Sequence, residues 1–191
     1  MSEYRPSGGF QMLPPVIKNL LIINGLVYAA ANFTGPAIHD FFYNNFALFH
    51  WDSPFFKPWQ FITHIFMHAP FKEAGGIFHI IMNMFILWMF GNIVENTLGP
   101  KRFIIFYLVC GVGAAICHLG VFHWENLDQI NWFNSIGSQN QNFVIDQIIT
   151  TGKGDPRAFP MFTPMVGASG AIFGVMFAFA YLFPNMMVYV Y

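Results

Sequence analysis

The sequence predicts an all-α protein, a polytopic helical bundle that spans a membrane. Three observations predict it. Of 191 residues, 55% are hydrophobic and only 9% are charged, whereas a soluble domain carries about 25% charged residues. Charge therefore cannot cover the surface, and the mean hydropathy of +0.49 points the same way. Four apolar stretches each approach the roughly 20 residues that a bilayer-spanning helix needs. Lysine and arginine are also denser at one end of those stretches than at the other. The formal net charge of −1 gives no reason to expect nucleic acid as a partner, and the length suits one domain, residues 1–191.

The elements follow in order. Residues 1–15, "MSEYRPSGGFQMLPP", are polar. No small-residue cleavage pattern follows the next apolar run, so they are not a signal peptide. The first span runs from Val16 to Phe33. Residues 34–76 form a long loop rich in aromatic side chains, which suits a segment in the membrane interface. The second span, Ile77 to Val94, leads through the short link "GPKRF" into the third, Phe103 to Phe122. Residues 123–164 are polar and rich in amides, and read as a mobile loop insertion. The fourth span runs from Met165 to Phe183.

Orientation follows from the basic residues. Arg5 and Lys18 flank the first span, and Lys101 and Arg102 crowd into the short link. Lys57, Lys72, Lys153 and Arg157 are spread over the two long loops. Density thus puts residues 1–15, the link and the C-terminus in the cytoplasm, with 34–76 and 123–164 outside. Cys110 and Cys117, seven apart on one helix, would lie roughly 10 Å apart along its axis, too far for a disulfide.

The fourth span carries the candidate chemistry. Gly170, Gly174 and Ala178 recur every four residues, as do Gly111 and Ala115 in the third span. Small residues at this spacing let helices approach closely in lipid, which is one reading of the glycines around Ser169. The depth of Ser169 adds another. Pro164 and Gly167 predict a helix that starts near Ser169, and Pro184 ends it. That helix is about 22 Å long, against a hydrocarbon core of about 30 Å, so it begins below the outer surface. Irregular backbone at such depth lines a cavity or is buried in protein. Free amides and the positive end of a helix dipole then sit beside the hydroxyl, the parts needed to stabilise an oxyanion.

In the second span, "HIIMNM" places His79 and Asn83 four apart on one face, in the same outer half as Ser169. A single histidine on such a face is more often a structural hydrogen-bonder. Three polar side chains at one depth in apolar helices are costly unless they meet one another or water.

With these residues in place, the sequence resembles the rhomboid intramembrane serine proteases. "WQFITHIFMH" is similar to the family's outer-loop pattern at Trp59, His64 and His68, with Gln60 where arginine is usual. "HIIMNMFILWMFGNIVENTLGPKRF" matches at His79, Asn83, Gly91, Glu95, Gly99 and Arg102. "GASGAIFG" matches the nucleophile motif at Gly167, Ser169, Gly170 and Gly174. Ala171 breaks the GxSxG elbow of soluble hydrolases. The resemblance implies a six-helix core of which four spans are present, with Ser169 as nucleophile. It implies an oxyanion hole of the Ser169 N–H, His79 and Asn83, and a general-base histidine on the sixth helix, which is not in this chain. The expectation is therefore a fragment or truncated product.

The implied partners are transmembrane protein substrates and the lipid bilayer, in a bacterial-type plasma membrane. No cofactor and no metal is implied. The alternative is a non-proteolytic rhomboid-like protein that binds membrane clients, or an inactive fragment. A transporter bundle would explain the glycines but not the three matched polar positions. Among the other polar residues, His118 is the one further intramembrane candidate for a base. His64 and His68 could be an HxxxH metal pair, but no third ligand is evident and HExxH is absent. Glu95 and Arg102 are expected to order the turn between spans two and three.

Overall fold

The computed structural model describes residues 11–151 and 154–186. Arg5, Lys153 and most of the 1–15 segment lie outside the described residues. Nine α-helices are described: α1 Pro15–Phe33, α2 Pro36–Phe46, α3 Gln60–Thr63, α4 Gly76–Leu98, α5 Pro100–Glu125, α6 Leu127–Ser135, α7 Ser138–Thr151, α8 Phe159–Phe162 and α9 Ser169–Leu182. Short 3-10 turns at His64–Phe66 and Pro156–Ala158 complete the described helical structure. Among the described residues there is no β-strand, only an isolated antiparallel bridge between Leu48 and Met165.

Helices α1, α4 and α5 are long and apolar enough to cross a membrane, with 19, 23 and 26 residues. Helix α9 has 14, about 21 Å of rise. The apolar run from Met165 is thus longer than the helix it contains. Met165 sits in the bridge to Leu48, and Gly167 takes φ +119°, so the chain turns into the helix only at Ser169, where Pro164 and Gly167 predict its start. Proline opens α1, α2 and α5, where its missing N–H is no loss.

Helix α9 packs between α5 and α4. The predicted small-residue ridge is the reason it can come so close. A methyl group added at Gly174 would lie 2.4 Å from Cys110 Sγ, and one at Gly170 would lie 2.5 Å from Ala114 Cβ. Ile17, Leu87, Val94, Phe103, Tyr107, Ala171 and Val175 are fully buried in the core around this contact. The opposite faces expose Phe173, Phe177 and Tyr181 at 68%, 74% and 79%. A hydrocarbon surround accommodates such an exterior and water does not.

Two expectations change. Glu95 does more than order the α4–α5 turn. Its backbone carbonyl accepts the Gly99 N–H at 2.8 Å. Its buried carboxylate, however, accepts the N–H groups of Val16 at 3.0 Å and Ile17 at 2.8 Å. The side chain caps α1 with a charge favourable to a helix N-terminus. Residues 123–164, read as a loop insertion, are also largely helical: 123–125 end α5, and α6, α7 and α8 follow. Ile130, Phe133, Ala158 and Met161 make a small separate core there, with Val144, Ile145 and Ile148 packed on it. The amides of "SQNQN" hide these helically spaced apolar residues from a reading by composition.

Candidate active site

The site is built where the starts of α4 and α9 meet. His79 sits on the first turn of α4, and Asn83 follows one turn later. Ser169 is the first residue of α9. Three backbone hydrogen bonds hold the extended run before it. Leu48 N–H donates to Met165 O at 3.0 Å, and Met165 N–H to Leu48 O at 2.7 Å. Gly167 N–H donates to His64 O at 3.0 Å.

Gly167 is the hinge of the arrangement. Its φ of +119° strains any other residue, and a methyl there would lie 3.0 Å from both Cε1 and Nε2 of His79 and 3.7 Å from Ser169 Oγ. The imidazole and the hydroxyl therefore flank one methyl-sized gap. His79 Nδ1 accepts the Ala69 N–H at 3.3 Å. This bond assigns the ring proton to Nε2, the nitrogen turned toward Gly167, and makes it a donor. Asn83 Nδ2 donates to His79 O at 2.7 Å, and the amide keeps a second N–H. The first intrahelical bond of α9 runs from Ile172 N–H to Ala168 O at 2.9 Å. The amides from Ser169 to Ala171 thus have no acceptor within the helix.

His79, Asn83 and Ser169 line one cavity of about 370 Å³, walled otherwise by apolar side chains such as Phe78, Ile172 and Phe173. Its lining residues carry three kinds of donor: an imidazole N–H, an amide N–H and the helix-start amides. That set suits a developing oxyanion in a water-poor place. Ser169 is half-buried, and its Oγ has no hydrogen-bond partner among the described residues.

The other sequence candidates stand apart from the cavity. Gly170 and Gly174 face α5 and serve packing. His118 stacks on Phe122, with centroids 5.9 Å apart. His64 is buried, with Nδ1 2.9 Å from Gln60 O. Trp59 Nε1–H donates to Asn45 O at 2.9 Å. Gln60, in the place usual for arginine, is fully buried. Its Oε1 accepts from Phe49 and Lys57 N–H at 3.3 and 3.1 Å, and its Nε2 donates to Phe55 O at 2.9 Å. A neutral amide satisfies this junction without a buried charge.

One neighbour was not singled out by sequence reasoning as part of the site. The His68 ring packs behind His79, with centroids 5.4 Å apart, and both its buried nitrogens lack partners among the described residues. Burial first, and the His79 ring second, push its pKa down to about 4, so His68 is neutral at neutral pH. The signal was the spacing HxxxH, matched to the family's outer-loop pattern without placing His68 beside His79.

A family model described as "Rhomboid domain" matches residues 56–190. "Putative rhomboid protease YdcA" of Bacillus subtilis (strain 168) is 26% identical over 132 residues, 68% of this chain and 45% of that protein. "Rhomboid protein 1, mitochondrial" of Saccharomyces cerevisiae is 27% identical over 124 residues, 65% of this chain and 25% of that protein. "RHOMBOID-like protein 6, mitochondrial" of Arabidopsis thaliana is 38% identical over 60 residues, 31% and 18% of the two chains. The chain spans less than half the length of these relatives. No solved structure matches it.

Proposed function

The chain belongs to the rhomboid family of integral membrane proteins, and from that premise we propose that it carries the nucleophile and oxyanion hole of an intramembrane serine endopeptidase. The observation that carries the reading is the gap at Gly167, where His79 Nε2–H and Ser169 Oγ face one position with Asn83 beside them. Ser169 Oγ attacks the scissile carbonyl of a transmembrane protein substrate. The C–N bond breaks, with the amine leaving as the new N-terminus once it takes up the serine's proton, and an acyl-enzyme remains. The carbonyl oxygen, as it gains charge, takes hydrogen bonds from the Ser169 N–H, His79 Nε2–H and Asn83 Nδ2–H. His79 acts as a neutral donor, because Ala69 occupies its Nδ1. The proton of Ser169 goes to a histidine on a helix beyond α9, as the family resemblance implies. Water then releases the acyl group from the side of the 34–76 loop.

The same reading puts the N-terminus and Lys101 in the cytoplasm of a bacterial-type cell. Two relatives are named as mitochondrial, so the sidedness needs its own measurement. An impermeant thiol reagent should label Ser138→Cys in intact cells and spare Lys101→Cys.

Activity is tested by joining the chain to the following helices of a complete relative. The fusion should react at Ser169 with a fluorophosphonate probe and cleave a single-span substrate, whereas the 191-residue chain alone should stay unlabelled. Ser169→Ala should abolish turnover, and Asn83→Ala should cut it by roughly 10²–10³-fold. A folded fusion that binds a membrane protein without cleaving it would favour the client-binding alternative. Strong labelling of the unfused chain would move the base to His79 or His118.

A further inference from the structure

A second group of polar side chains lies apart from the Ser169 cavity. His50 and Asp52 sit in the loop after α2, and His123 sits on the last turn of α5. His50 Nε2 and His123 Nδ1 face each other at 3.1 Å, with the ring planes 4° apart. Asp52 Oδ2 lies 3.6 Å from His50 Nδ1, and the Asp52 N–H donates to that nitrogen at 3.2 Å. One donor atom from each of the three residues lies within 4.8 Å of the others. His50 is 1% exposed, and Trp51 covers it, with ring centroids 4.2 Å apart. Both histidines stand in the same local sequence, Phe-His-Trp followed by an acid, at 49–52 and 122–125.

The hydrogen bonds fix the proton count. Because His50 Nδ1 accepts the Asp52 N–H, His50 Nε2 carries the ring proton and donates it to His123 Nδ1. A single proton thus bridges two basic nitrogens, and the Asp52 carboxylate lies beside the other nitrogen of His50. Two imidazoles and a carboxylate are a donor set of zinc, and zinc–nitrogen bonds of about 2.0–2.1 Å at tetrahedral angles put two nitrogens about 3.3 Å apart. The observed 3.1 Å is close to that spacing. A hydrogen-bonded pair alone would hold the loop to α5, but it would not need Asp52.

We propose that His50, Asp52 and His123 form a binding site for a divalent transition metal of the zinc class, with water completing its coordination. On binding, the bridging proton leaves to solvent, and a small rotation of the half-buried His123 ring turns both lone pairs toward the ion. Asp52 supplies the third ligand. The metal then ties the 34–76 loop to the end of α5. Leu48, two residues before His50, is bonded in both directions to Met165, so the same tie braces the run that leads to Gly167 and Ser169. The site does not depend on the proteolytic reading, since none of its ligands lines the cavity.

The test uses the full chain in detergent, with Zn²⁺ and Co²⁺ as probes. Equilibrium dialysis with metal analysis should find one Zn²⁺ per chain, and Co²⁺ should give the intense visible bands of a low-coordinate site. His123→Gln and the double variant His50→Gln/His123→Gln should weaken zinc binding by roughly 100-fold, and Asp52→Asn by about tenfold. His118→Gln, on the same helix, should not change it. The thermal midpoint should rise with Zn²⁺ in the wild type and not in His123→Gln. Because His123 lies at a helix end, its single variant carries the test even if loss of the buried His50 prevents folding. Unchanged zinc affinity in His123→Gln, an equal loss in His118→Gln, or no saturable binding in the wild type would each overturn the proposal.

Discussion

The two long connections of this bundle spend their polar groups in opposite directions. In residues 34–75 internal bonds such as Gln60 to Phe55 O are joined by bonds that run outward to the site. Leu48 pairs with Met165, His64 O accepts from Gly167, and Ala69 N–H holds the His79 ring. Tyr43 Oη–H donates to His68 O and fixes the backbone behind that ring. In residues 126–164 the bonds close on themselves. Gln141 Nε2 donates to Phe133 O at 2.8 Å, Asn140 Nδ2 to Ile136 O at 2.9 Å, and Arg157 pairs with Asp155 at 2.6 Å. Phe162, edge-on to Phe55 at 5.9 Å, touches the first loop. The first connection is thus a wall of the site, and the second is a small folded appendage. Length and exposure do not separate the two; the destination of their hydrogen bonds does.

The sharpest way to break this contrast is at the point where the first loop meets Ser169. Gly167→Ala adds strain and pushes on His79, so turnover of the proposed fusion should fall by about 10²-fold or more. Steady-state cleavage of a single-span substrate measures it, and an unchanged rate would mean that the ring moves freely. Next is the fully buried Gln60. Its removal in Gln60→Ala strands the Phe49 and Lys57 amides, which should cost about 3 kcal/mol in a denaturant titration. A loss below about 1 kcal/mol would show that water replaces the amide.

The pH dependence separates the loops as well. The folded-state pKa of His68 is depressed to about 4 from an ordinary 6.5. Between those values the unfolded chain binds the extra proton, so stability is full above about 6.5 and falls as pH drops toward 4. Thermal midpoints across that range should fall less steeply in His68→Phe, which replaces an unpartnered imidazole by a ring that needs no partner. The second loop should respond weakly. No residue of α7 is fully buried, and replacing 138–151 by a flexible linker should cost under about 1 kcal/mol in the same titration.

Smallest of all is the Asp155–Arg157 pair. Arg157 holds the Asp155 carboxyl down at about 2, so the pair persists until pH falls from about 3.8 through 2. Arg157 stacks on Trp132 at 4.0 Å, and tryptophan emission should report this local loss while the site is unaffected.

Much of the site was legible because its residues lie close in sequence. The i, i+4 spacing put His79 and Asn83 on one face, and Pro164 with Gly167 marked where α9 begins. Small residues every four positions gave the α5–α9 contact. The rest depended on distant segments. The Ala69 amide that sets the His79 tautomer, and the imidazole of His68 behind it, come from a loop whose composition suggested only an interfacial position. The helices within 123–164 were not legible because the amide-rich stretch masks the spacing of Val144, Ile145 and Ile148. Nothing near Glu95 in sequence hints that its carboxylate belongs to α1.

That carboxylate also sets an order of assembly. Val16 and Ile17 precede Glu95 by 79 and 78 residues. At roughly 5–20 residues per second of synthesis, α1 waits several seconds with two open amides before their acceptor exists. During that interval its first turn must stay at the membrane surface, because the hydrocarbon core offers no acceptor for those protons. Arrested nascent chains that end before residue 95 should therefore exchange the Val16 and Ile17 amide hydrogens freely, and chains that extend past α5 should protect them. The α4–α5 hairpin, by bringing Glu95 back to α1, acts as the latch that lets the earlier-made helix leave the water interface and join the bundle.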